Sequence, residues 1–449
     1  MSVIARPEVT PASRWAFPQP TTSSLSNGLT VHTFDLPGQY VVALRLIVPL
    51  SVRSEPRESE GVASLMTRLL DEGTLEHDTE EFTELLERKG VAFGAGLSDG
   101  GLHVDVDAPA SRLADALALM VAAIARPSFP AEQVRRLVRT RLAEIEQERA
   151  SAPHRAAREL AATFFHPDER AARPTAGSAE TVSGLTREDV ESFHATHVGP
   201  VGATLIVSGD LSGIDLDTLL AESFGSWTPG PRALPPEAEV PRRADDAVRI
   251  VLVDRPDSVQ SEIVVAGPGP DRHVKPAWAP YPVLGFVMGG SPNARVDAVL
   301  REEKGYTYGM RSGFRPRRAG GMFVTSGSVR TEVTADALTI LLEILASGDA
   351  GFTAKELAEG VDFIVDTAPG RFATADAVAE EAAASILDGL PLDFTTTNLD
   401  RMRTLTTADL EAAYARYVTG EWTIVIVGDA SAYADAIRAL GQRVDVVPN

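Results

Sequence analysis

The sequence predicts an α+β fold of two homologous halves, each an antiparallel-rich β-sheet with helices packed on one side. Three observations predict it. The first is an internal repeat. Leu185-Thr186-Arg187-Glu188-Asp189-Val190 returns 220 residues later as Leu405-Thr406-Thr407-Ala408-Asp409-Leu410. Thr204-Leu205-Ile206-Val207-Ser208-Gly209 returns after 219 residues as Thr423-Ile424-Val425-Ile426-Val427-Gly428, and Asp35-Leu36-Pro37-Gly38 returns after 219 as Asp254-Arg255-Pro256-Asp257. The second is that both copies run through one order of strand-like and helix-like patterns. The third is a polar, Pro-rich stretch, residues 226–246, between the copies, with the composition of a linker. The expected domains are residues 1–225 and 247–449.

The elements follow in order. The first 20 residues read as a frayed, Pro-rich lead-in. Val41–Val48 and Ser261–Ala266 are apolar runs of strand length. Gly61–Leu70 and Pro282–Glu303 carry helical periodicity, and the alternation in Leu102–Asp107 and Met322–Ser326 predicts strands. Long helices are predicted over Ala110–Ala125, Ala131–Ser151 and Thr334–Leu345. Thr186 and Thr406 stand where a hydroxyl caps a helix, and each half closes on a strand. Strands interrupted by helical pairs give sheets with helices layered on them.

Composition excludes several functions. The formal net charge is −21, which repels phosphate backbones and anionic lipid, so neither nucleic acid nor membrane is an expected partner. No run approaches the roughly 18 apolar residues of a membrane span. The start lacks a charged-then-apolar signal pattern. There is no cysteine, hence no disulfide, thiol nucleophile or thiolate metal ligand, which fits a reducing cytoplasm.

Residue chemistry singles out few places. Val296–Lys304 reads as a helix that Gly305 ends in the left-handed conformation, and Tyr306–Phe314 reads as a strand. Arg301 then sits in a last helical turn, where a cation complements free carbonyls. Tyr308 falls early in the strand, where a tyrosine ordinarily packs in a core. Gly289-Gly290-Ser291 reads as a loop with Ser291 or Asn293 as helix cap; no Gly-x-x-x-x-Gly-Lys pattern makes it a phosphate loop. His194 and His197 have i, i+3 spacing, and packing explains them better than metal binding.

The order of these segments resembles the pitrilysin/insulinase (M16) metallopeptidases over about residues 27–430. Leu25-Ser26-Asn27-Gly28-Leu29-Thr30-Val31 looks like the family's first strand. His166-Pro167, Gly177–Val182, Val251–Pro256 with Gln260, and Leu300–Gly309 resemble later family segments. Gly61–Thr74 resembles the metal-site helix, where the family has His-x-x-Glu-His. Here Ser64 and Arg68 stand at the two ligand positions and Thr67 at the general base. The family's third ligand, a Glu about 76 residues after the second His, falls on Glu144.

Ser64 is a poor zinc ligand and Arg68 offers no lone pair. A guanidinium about 4 Å from a divalent ion costs roughly 8 kcal/mol at an effective dielectric near 20. Thr67 cannot take a proton from water as a carboxylate would. Glu144 either pairs with Arg68 in place of a metal or is a solvated charge on a helix shared with Glu146 and Glu148.

The resemblance implies the short, bacterial-type members with the M16/LuxS-like metallohydrolase fold, which work as paired subunits closing on a peptide. One subunit carries zinc; the other, without it, supplies an Arg and a Tyr, here Arg301 and Tyr308. The expectation is a cytoplasmic, non-metal subunit with no cofactor of its own. It would pair with a homologous subunit that has the intact motif and holds zinc, and bind extended peptide along a sheet edge. The rivals are a non-catalytic scaffold and a peptide-binding self-dimer.

Overall fold

The computed structural model describes residues 14–98, 100–228, 249–318, 320–418 and 420–449. Two six-stranded mixed sheets organise it. The first contains β1 (Thr21–Ser24), β2 (Thr30–Asp35), β3 (Val41–Val48), β4 (Ala92–Ser98), β5 (Gly101–Pro109) and β6 (Thr204–Gly209), in the order β1-β2-β6-β3-β5-β4. The second contains β7 (Arg249–Asp254), β8 (Gln260–Gly269), β9 (Arg311–Pro316), β10 (Gly321–Arg330), β11 (Thr423–Gly428) and β12 (Val444–Pro448), in the order β12-β7-β11-β8-β10-β9. Strands β2, β3 and β6 recur as β7, β8 and β11 at the 219-residue spacing of the sequence repeat. β2 pairs β6 in parallel in the first sheet and β7 pairs β11 and β12 in parallel in the second; the other pairs among the described residues are antiparallel.

Strand β3 is buried on both faces, and its alternation sorts two cores. Val42, Leu44, Leu46 and Val48 enter the core of their own half, with helices Val62–Arg68 and Leu113–Ala125. Ala43 and Ile47 face the other way, with Ile206. That second face is covered by a helix of the opposite half: Val378, Ala379, Ala382 and Ala383 of Ala375–Leu387. The exchange is reciprocal. Ala156, Leu160 and Phe164 of helix Ala152–Phe164 cover Val264, Ala266, Val425 and Val427 of the second sheet. Each half therefore lends a helix to the other's sheet, in addition to the helices on its own side.

A buried cation fastens this seam. Arg45 of β3, 3% exposed, bonds Asp107 at 3.1 Å and lies 3.5 Å from Asp105, both of β5. It also bonds Asp376 of the exchanged helix. Removing it would leave the part-exposed carboxylates of Asp105, Asp107 and Asp376 facing one another without their cation.

Several sequence expectations are corrected. The lead-in is docked from Arg14 onward: Trp15 stacks on Phe372 at 5.5 Å, and Phe17 is 2% exposed. Residues 1–13 lie outside the described residues, as does most of the expected linker, 229–246. Of Leu25–Val31 only Thr30 and Val31 belong to a strand, the start of β2; Leu25–Leu29 is a turn in which Gly28 (φ 94) reverses the chain after β1. The Pro282–Glu303 pattern is two helical pieces, because the backbone breaks at Gly289 (φ −166, ψ 16). Neither Ser291 nor Asn293 caps the second piece; the cap position is Ala294, without a side-chain bond. Thr186 and Thr406 do cap, each in a reciprocal box with Asp189 or Asp409.

Candidate functional site

Two places carry the residues singled out by sequence. The first is helix Val62–Arg68. It starts at Gly61 (φ 102), where a Cβ would meet the Ala176 carbonyl at 2.9 Å. Its first amides are held by the Glu55 carboxylate, which accepts from Gly61 N at 3.1 Å and Ala63 N at 3.0 Å. Arg170 donates two bonds to the same carboxylate, at 2.8 and 3.0 Å. A buried acid at a helix N-terminus, neutralised by a buried cation, fixes the helix end. The start of this helix is thus fixed by buried polar contacts on both its amides and its capping acid.

What it presents is different. Ser64 is half-buried. Thr67 is buried, and its hydroxyl donates back to the Ala63 carbonyl at 2.8 Å. Arg68 reaches helix Ala131–Ala150 and donates two parallel bonds to Glu144, both 2.8 Å. Arg141 adds a bond to Glu144 at 3.3 Å and forks onto Glu148. Hydrogen bonds from Arg68, ahead of the opposing effect of burial, hold the Glu144 carboxyl below its ordinary value. The two alternatives for Glu144 thus separate: it is the far end of a fork. These side chains do not form a divalent metal's donor set, since the one carboxylate is taken by two guanidiniums. Among the described residues no group of three or more His, Asp or Glu could hold a metal.

His194 and His197 do not converge either. His194 bonds the Ile124 carbonyl at 2.8 Å and sits against Phe129; His197 bonds the Phe193 carbonyl and stacks on its ring.

The second place is the turn after Arg301. Ala298–Glu303 is wound as a wide π-helix, and Gly305 (φ 62) ends it. Tyr306 N bonds the Leu300 carbonyl at 2.9 Å, closing the helix end. The strand expected from Tyr306 starts only at Arg311. Residues 306–310 form a clamped turn instead, because the buried Asp297 carboxylate competes for the chain. It accepts from Met310 N and from Arg311, both at 2.7 Å. On the other side Thr307 bridges to Val329, and its hydroxyl bonds the Ser328 carbonyl at 2.8 Å. Between these anchors Tyr308 is 96% exposed, outside the core in which a strand tyrosine ordinarily packs.

Arg301 and Tyr308 line one cleft of about 580 Å³ with Gln260, Tyr306, Ser328 and Arg330. Arg301 is part-exposed and ion-pairs only loosely with its neighbour Glu302, at 3.3 Å. Sequence reasoning did not single out Asp297, Tyr306, Arg330 or Glu262. The available signal for Asp297 and Glu262 was a lone acid inside an otherwise apolar run.

Comparison with known proteins agrees with this architecture. Residues 30–177 match the model described as insulinase (peptidase family M16), and 184–362 match the peptidase M16 inactive domain. An uncharacterized zinc protease of Mycobacterium tuberculosis is 25% identical over 342 residues, 76% of this chain and 77% of that protein. A non-peptidase homolog of Helicobacter pylori is 22% identical over 354 residues, 78% of this chain and 80% of that one. The crystal structure of a peptidase M16 inactive domain from Pseudomonas fluorescens superposes with a TM-score of 0.83 at 24% identity, covering 91% of this chain and 98% of that one. A Helicobacter pylori protease gives 0.81 at 17% identity, covering 92% and 100%.

Proposed function

The chain belongs to the M16 (insulinase-type) peptidase family, and on that premise we propose that it is the metal-free half of a peptide-hydrolysing heterodimer. Its partner is a homologous subunit with an intact His-x-x-Glu-His motif, and zinc resides there. This chain binds no zinc. Its own work is done at the cleft of Arg301 and Tyr308. The guanidinium holds a carbonyl of an extended peptide, and the tyrosine hydroxyl donates to the oxyanion as the partner's site attacks. One preorganised donor of this kind contributes about 2.7–4 kcal/mol to transition-state stabilisation.

The observation that carries the reading is the mounting of Tyr308. Asp297 and Thr307 clamp a turn whose tip holds an almost fully exposed aromatic ring beside a part-exposed Arg301. A rigid pedestal for a solvent-facing tyrosine has little value to this chain alone and much to a surface that closes on it. We place the pair in the cytoplasm, in keeping with a chain devoid of cysteine.

The test is to co-express the chain with a gene-neighbouring homologue that has His-x-x-Glu-His, and to assay peptide digestion. The chain alone is inactive, the pair is active, and Arg301→Ala or Tyr308→Phe in this chain lowers the pair's turnover. Activity indifferent to both substitutions refutes the assigned roles. A second reading, a peptide-binding homologue without catalysis, is favoured by the lost ligand positions and by the relative named a non-peptidase homolog. It predicts peptide binding with no digestion in any pairing.

A further inference from the structure

Glu262 is a carboxyl set into an apolar strand. Its β8 neighbours Ile263, Val264, Val265 and Ala266 are buried core residues, and Glu262 itself is 8% exposed. It stands opposite Ser328 of β10 and Val427 of β11. The Ser328 hydroxyl donates to it, and among the described residues it has no ion-pair partner. At the equivalent position of the first half, 219 residues earlier, stands Ala43, packed under the exchanged helix. The fold accepts a methyl group here, so the carboxyl is not a requirement of packing.

The location gives it a use. Ser328 lines the cleft of Arg301 and Tyr308, and so does Gln260, two residues from Glu262 on the same face of β8. Neither of the cleft's own cations is paired with Glu262. Arg301 faces Glu302, while Arg330 bonds Glu332 at 2.7 Å and the Gly305 carbonyl at 2.9 Å. Burial raises the Glu262 carboxyl above its ordinary value. An ionised carboxylate buried without a counter-charge is unfavourable, so this group gains from a cation arriving through the cleft.

We propose that Glu262 receives a basic side chain of the bound peptide, so that the cleft selects peptides carrying Lys or Arg. The inference rests on the reading that this cleft binds peptide, and it adds the substrate class. A lysine stem is narrow and apolar, and the carboxylate lies directly behind Ser328 of the cleft lining, one hydrogen bond away. The chain's net charge of −21 favours encounter with cationic segments.

The experiment measures fluorescence-anisotropy binding of two labelled decapeptides to the purified full chain. They are identical except for one central lysine or norleucine. Wild type, Glu262→Gln and Arg301→Ala are compared, each checked for fold by circular dichroism. Wild type is expected to bind the lysine peptide about tenfold to a hundredfold more tightly, the range of a desolvated charge pair. Glu262→Gln is expected to bring that ratio close to one, and Arg301→Ala to weaken both peptides. A ratio unchanged in Glu262→Gln, or no lysine preference in wild type, overturns the role of Glu262 while leaving the cleft a peptide site. No saturable binding of either peptide overturns the peptide-site reading itself, and this inference with it.

Discussion

The Arg68–Glu144 fork makes a quantitative prediction about zinc. Ser64 and Arg68 are four residues apart on one helix face, so histidines there would lie one turn apart. Glu144 already stands beside that face, with both carboxylate oxygens 2.8 Å from the Arg68 guanidinium. The double variant Ser64→His, Arg68→His therefore assembles two imidazoles and a carboxylate. It also removes a repulsion of about 8 kcal/mol, for a charge about 4 Å from a divalent ion at an effective dielectric near 20. Arg141 remains, bonded to Glu144 at 3.3 Å. At roughly 6–7 Å from the ion it still opposes binding by about 5 kcal/mol on the same scale. Subtracted from the roughly 10–16 kcal/mol of a structural zinc, that leaves about 5–11 kcal/mol, which centres on micromolar affinity. Isothermal titration with elemental analysis after dialysis reads this directly. Wild type is expected to retain none, the double variant to bind one zinc per chain, and an added Arg141→Ala to tighten it. A folded triple variant that takes up no zinc would refute the claim that only ligand identity and charge disable this helix. One tightly held zinc in wild type would refute it more deeply.

Four further outcomes are expected. In an active pair, Tyr308→Phe should lower kcat about a hundredfold to a thousandfold with the fold unchanged, the loss of one oxyanion donor. Arg68→Ala should cost less than about 1 kcal/mol in urea unfolding, since both partners of the fork are about one-third exposed. The Glu356 carboxyl is partly buried, which raises it, but the Arg295 fork and Thr353 outweigh this and pull it from 4.5 to about 2. A depressed folded value stabilises fully above the unfolded value and is lost as pH falls toward the folded one. Wild type should therefore lose about 1–2 kcal/mol, after allowance for solvent screening, between pH 5 and 2, and Glu356→Gln should flatten that slope. Finally, residues 1–228 and 247–449 expressed separately should each be insoluble or unfolded and should copurify when co-expressed, because each covers the other's sheet. Two independently folded fragments would disprove that dependence.

Much of the fold was legible because the periodicity is local. The run Val41–Val48 is buried on both faces as a strand, and Thr186 and Thr406 cap their helices through Asp residues three positions on. That positions 64, 67 and 68 hold Ser, Thr and Arg was equally legible, and the pairing of Arg68 with Glu144 was one of two alternatives the sequence left open. Where the reading failed, a distant group had intervened. Alternating large residues over Tyr306–Phe314 suggested a strand, but the Asp297 carboxylate takes the amide of Met310 and turns the chain, leaving Tyr308 in solvent.

The sequence by itself determined two repeated halves, their strands and caps, and a helix with Ser64, Thr67 and Arg68 on it. Apolar spacing and side-chain identity suffice for those. Only the tertiary structure decided that Ala375–Leu387 and Ala152–Phe164 change places, that Arg68 closes on Glu144, and that Arg301 and Tyr308 share one cleft with Ser328, which bonds the buried Glu262. An apolar stripe states that a surface must be buried and a charge that it must be balanced. Neither names its partner, because that choice is made among groups tens to hundreds of residues away.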